Sequence, residues 1–165
     1  MLPEIEFKVA NQGNNPETYR ACEEFIKKWQ KILRIQDWEI DLKFLTGLEM
    51  QKTMGSENYN ACCDRTSENK FATISLNLES PEINDNPERL LIHEMLHIVF
   101  DDYDTFTINA VSDNEYAKNV VKFKLEQTIE SLAKSFSNLA KGDKSNVEEV
   151  ATQVNITPKH LLSLA

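Results

Sequence analysis

The sequence predicts an α+β fold. A small sheet of about three strands, including a hairpin, should pack on an N-terminal helix, a histidine-bearing helix and a long C-terminal helix. Three observations carry this expectation. Apolar residues recur at helical spacing near the N-terminus and again from roughly residue 114 to 139. Short alternating segments bounded by polar turns lie between them. A helix-start signal, Asn86-Pro87-Glu88, precedes a nearly continuous apolar run that contains His93-Glu94-Met95-Leu96-His97.

The first helix starts at Asn15-Pro16-Glu17, with Phe25, Ile26, Trp29, Ile32 and Leu33 as its apolar positions. Trp38 to Phe44 alternates strictly and is expected as a half-buried strand. Residues 47–58 are expected as a polar stretch without regular structure. Tyr59 to Asp64 and Phe71 to Leu78 form the hairpin strands, joined by a turn over Thr66 to Lys70, with Ala72, Ile74, Leu76 and Leu78 sharing one face. In the next helix Asn86 is the N-cap and Pro87 sits at the first helical position, where its missing N–H costs nothing. Leu90, Leu91, Met95, Leu96, Ile98, Val99 and Phe100 make that helix apolar almost all round, which suits a core. Asp101 to Asp113 is expected as a polar loop. The long helix then runs from about Asn114 to Leu139 with a stripe of Leu125, Ile129, Leu132, Phe136 and Leu139.

Histidines four apart lie one turn from each other on one helix face. His93 and His97 can therefore bind one zinc ion, while Glu94 sits close enough to act as general base toward the metal's water. Two of the chain's three histidines are used in this way. Burying two imidazoles and a carboxylate unpaired is costly, and a metal removes that cost.

A catalytic zinc takes three protein ligands and a water. At about 100° per residue, Glu126 falls at the edge of the long helix's stripe, flanked by Phe123, Ile129 and Ala133. Glu115 has a similar angular position if the helix extends that far back. Glu130 lies further round toward solvent, and Asp101, Asp102 and Asp104 remain as other acids. Tyr103 and Tyr116 are near enough in sequence to stabilise an oxyanion, although each suits a surface or packing role. Cys62 and Cys63, adjacent in a strand, point to opposite faces and cannot readily share a metal, so one core and one exposed thiol are expected. The three aspartates lack the spacing and glycine of a calcium loop.

Composition narrows the function classes. The 165 residues suit one domain, residues 1–140, followed by a short helical tail, 141–165. In that tail, Val147 to Ala151 and Thr157 to Leu162 suggest two short helices, too short and with too little basic charge for a DNA reader. A net charge of −9 argues against a nucleic-acid partner. No segment is long and apolar enough to span a membrane. The start of the chain lacks signal-peptide character and three cysteines make no disulfide framework, so a cytoplasmic location is expected.

The order of helix, Asp37-Trp38-Glu39-Ile40 strand, hairpin ending in Ala72 to Leu76, acidic linker and His93-Glu94-Met95-Leu96-His97 resembles small phage and prophage metallopeptidases. It is similar to the SprT-like and minimal gluzincin groups of zincins, over roughly residues 16 to 139. Glu126-Gln127-Thr128-Ile129-Glu130 is similar to the glutamate-bearing helix that follows in the phage-type proteins. The resemblance implies a zincin-like fold and a zinc cofactor bound by His93, His97 and Glu126. It also implies Glu94 as the base, a protein or peptide substrate, and the host cytoplasm as the location. SprT-like proteins usually take a third histidine, but the only other one is the distant His160, so the glutamate version fits better. The alternative is a zincin-like regulatory module that binds protein partners with little or no turnover.

Overall fold

The structure is a computed structural model that describes residues 16–55 and 58–142. His160 and the two short tail helices expected after residue 146 lie outside the described residues. The described part is α+β, with six helices and one three-stranded mixed sheet. Among the described residues no helix is long and apolar enough to cross a membrane.

Helix α1 spans Pro16–Ile32 and buries Cys22, Ile26 and Trp29, one side of an amphipathic cylinder. Ile32, expected in the stripe, is exposed at the helix end, where Arg34 takes a left-handed conformation (φ 58°) and stops the helix. Strand β1, Glu39–Leu45, buries Ile40, Leu42 and Phe44 in the alternation its sequence foretold. Strands β2, Ala61–Thr66, and β3, Phe71–Asn77, form the antiparallel hairpin. The sheet order is β1-β3-β2, with β1 parallel to β3. Strand β3 is therefore central, and Ala72, Ile74 and Leu76 on its inner face are wholly buried. Ser75 and Asn77, on the opposite face, are buried as well.

Three helices occupy segments expected to be irregular. Helix α2, Gly47–Met54, replaces the polar stretch. Its N-cap is a capping box: the Thr46 hydroxyl accepts from the Glu49 backbone and the Glu49 carboxylate accepts from the Thr46 backbone. Gly55 closes it at φ 80°, a conformation that favours glycine. Helix α3, Pro81–Asp85, follows an N-capping Ser80 within the acidic linker. Helix α5, Asp101–Ala110, replaces the expected loop; its first turn carries Asp101, Asp102 and Asp104, where carboxylates meet the positive end of the helix dipole.

Helix α4, Pro87–Val99, is the centre of the molecule, packed on α1, β2 and the long helix α6, Glu115–Ala140. Asn86 caps α4 by accepting from the Arg89 backbone, as expected. Leu91, Ile92 and Met95 have no exposed surface, and Leu96 is nearly as buried. They join Ile129 and Ala133 of α6, Trp29 of α1 and the inner face of the sheet in one core. Glu88 is buried at the α1 junction, where it accepts hydrogen bonds of 2.8 Å from both the Trp29 indole and the Lys28 ammonium. The apolar residues of α4 are thus buried except Val99, which is exposed near the helix end against expectation, while His93 and His97 face the cleft.

Candidate metal centre

Helical spacing stacks His93 and His97 one turn apart, with ring centroids 5.2 Å from each other. Both face α6, where Glu126 reaches between them: its carboxylate oxygens lie 3.5 Å from His93 Nε2 and 3.4 Å from His97 Nε2. One donor atom from each of these three side chains can be chosen so that all lie within 4.8 Å of one another. A tetrahedral ion with bonds of about 2.0–2.1 Å needs ligand atoms about 3.3–3.4 Å apart, and each glutamate–histidine distance is close to that, one to each carboxylate oxygen. The chemistry also matches, since two imidazoles and a carboxylate form a zinc donor set. Among the described residues this is the only cluster of three or more histidine, cysteine or acidic side chains able to hold a metal.

The other candidates go elsewhere. Glu115 is exposed on the first turn of α6 and pairs with Lys118 at 3.4 Å. Asp101 is buried and accepts from the Arg65 guanidinium and the Ser67 hydroxyl, while Asp104 accepts from Arg65 at 3.0 Å. Tyr103 and Tyr116 are exposed and line no part of the site. Glu130, expected to turn toward solvent, instead meets His93 Nδ1 at 3.2 Å and is held by Arg89 at 2.6 Å and Lys134 at 3.1 Å. It therefore engages the ring nitrogen opposite the one that faces Glu126, and so fixes the imidazole's orientation.

The three titrating groups respond to these surroundings differently. Burial acts to lower the His93 pKa, but contact with Glu126 and the charges of Glu94 and Glu130 outweigh it, and the net shift is upward. For His97 burial prevails and the pKa falls. Contact with His93 lowers the Glu126 pKa against the effect of its own burial. Glu94 is only 4% exposed, and burial pushes its carboxyl up to about 7.

An open cleft of about 550 Å³ lies over this cluster, lined by His93, Glu94, His97 and Glu126, by Leu125 and Lys122 of α6, by Asp104, and by Tyr59, Ala61, Cys62, Cys63 and Arg65 along β2. A second hollow of about 380 Å³ shares Tyr59, Ala61, His93 and Glu94 and continues to Asn60, Arg89 and Glu130. The groove therefore follows β2 past the histidines. Cys62 and Cys63 both line it as half-buried free thiols, rather than as one core and one exposed cysteine. Burial, with the nearby Glu94 charge, raises both thiol pKa values, Cys63 to about 12, so neither is a ready thiolate. Tyr59, Arg65, Lys122 and the role of Glu130 carry no local sequence signal, because each depends on long-range packing. Comparison of the chain with family models, with curated proteins and with solved structures gives no match.

Proposed function

We propose that this chain is a zinc-dependent metallopeptidase of zincin-like architecture, with His93, His97 and Glu126 as ligands and Glu94 as general base. The observation that carries the proposal is the convergence of Glu126 and the two histidines, each Nε2 within 3.5 Å of a Glu126 oxygen, along an open groove. Zinc held there supplies a Lewis acid for a peptide carbonyl and acidifies a water molecule.

The chain's own residues do the rest. Glu94 takes a proton on its carboxylate and returns it to the leaving amine, a task for which a pKa near neutrality is well matched. Glu130 accepts from His93 Nδ1 and so keeps Nε2 turned toward Glu126. An extended peptide binds by adding to a strand edge. Strand β3 has both edges paired, so the role falls to β2, whose outer edge pairs with no strand among the described residues.

The direct test is a crystal of the zinc-loaded protein with anomalous maps on both sides of the zinc absorption edge. One zinc peak touching His93, His97 and Glu126 is expected; a peak elsewhere, or none, overturns the assignment. Glu130→Gln is expected to weaken zinc affinity about 10- to 100-fold in a chelator competition, because the imidazole loses its charged acceptor. Unchanged affinity would show that Glu130 does not position His93.

A further inference from the structure

We propose that the end of the cleft bounded by α5 and α6 is an acid-recognising subsite, in which Arg65 and Lys122 select a carboxylate of the bound peptide. The proposal rests on the peptidase reading and adds the chemical class of the substrate.

Two arginines flank the histidines, one in each hollow, and they differ in what they leave free. Arg89 has both terminal nitrogens committed, Nη1 to Glu130 and Nη2 to Glu82. Arg65 gives Nε to Asp101 and Nη2 to Asp104, which leaves Nη1 without a partner among the described residues. Arg65 lines the cleft, and Nη1 is not a sealed atom. Among the described residues, the one sealed side-chain polar atom lacking a partner is Asp104 Oδ1. Asp101 is itself anchored by Ser67, so the guanidinium is clamped in place before any ligand arrives. Its charge bears on Glu94, His97 and Glu126, which places it beside the reacting centre.

Lys122 supplies the second cation. It lines the same hollow one turn from Glu126, yet it forms no ion pair with any described residue. A fixed fork with a free donor edge and an uncommitted ammonium together suit a carboxylate. The chain's net charge is −9 and the hollow also carries Glu94, Asp104 and Glu126, so the subsite presents two local donors and no positive field. It therefore discriminates at short range instead of steering acidic chains from afar.

The test uses the zinc-loaded full chain and peptides in pairs that differ only at Asp/Asn or Glu/Gln on either side of the scissile bond, each with a free or amidated C-terminus. The acidic member is expected to be cleaved about tenfold better in kcat/KM at one subsite, corresponding to about 1.4 kcal/mol. Preference that tracks the free C-terminus assigns a terminal carboxylate; preference that tracks Asp or Glu assigns a side chain. Lys122→Glu, on an exposed position, is expected to abolish the preference and favour Lys or Arg at that subsite, with zinc content unchanged. Equal rates within every pair, with Lys122→Glu making no difference, overturn the subsite while leaving the peptidase reading intact. Glu94→Gln protein supplies the converse arm, read as fluorescence anisotropy of labelled peptides. If the wild type cleaves nothing but this variant still binds the acidic member more tightly, the subsite stands and the peptidase reading falls.

Discussion

Replacing His97 with alanine is expected to take bound zinc from about one ion per chain to none and to abolish peptide hydrolysis, while the protein stays folded. Zinc sites need at least three protein donors, and this change leaves one imidazole and one carboxylate. The fold survives because the core does not pass through the ligands. Leu91, Ile92, Met95 and Leu96 pack on one side of α4, while His97 faces the cleft. Elemental analysis after dialysis reads the metal, and circular dichroism reads the fold. A His97→Ala protein that retains stoichiometric zinc would end the assignment of this residue as a ligand.

Glu94→Gln is expected to separate chemistry from metal binding. The amide cannot accept the proton, so hydrolysis should fall about 10²- to 10⁴-fold with zinc retained. The same substitution has a second signature in metal-free protein. Burial raises the Glu94 pKa from 4.5 to about 7, so the folded state holds a proton that the unfolded state releases earlier. A raised acid contributes stability that is fully present below the unfolded pKa and is lost as pH rises through the folded one. Wild-type metal-free protein should therefore lose on the order of 3 kcal/mol between pH 4.5 and pH 8 through this group. Glu94→Gln should lack that loss, and it should also lower the His93 pKa, which the Glu94 charge helps to raise. Denaturant unfolding at several pH values makes the comparison. Parallel pH profiles for the two proteins would mean that Glu94 is not held protonated by its surroundings.

Elements with long, regular patterns were legible in the residues. Strand β1 shows itself in Ile40, Leu42 and Phe44, and α4 in its Asn86-Pro87 start. Helices α2, α3 and α5 carry no such pattern, for a physical reason. They are short and polar, and they expose most of their surface, so they lack the apolar period that marks longer helices. The Thr46–Glu49 capping box was nevertheless a visible start signal for α2. In the site, His93, Glu94 and His97 lie within one helix, where spacing alone determines geometry. Glu126 could be ranked from its angle on α6. Glu130 lies one turn further on and could be placed only by knowing how α6 crosses α4, which no local pattern records. Arg65 depends on the hairpin meeting α5, a helix absent from the sequence-level expectation.

The open edge of β2 has a cost that its proposed role makes unavoidable. Backbone donors and acceptors left unpaired along a sheet edge invite any extended chain, including a partly unfolded copy of the same protein. Natural sheets usually close such an edge with another element; here, closing it would block the groove. The exposed Asp64 and the clamped Arg65 place charges along it, and charged edge residues discourage strand-to-strand aggregation. The strand is therefore a compromise between access and solubility, and it is where a destabilised form of this protein would begin to self-associate.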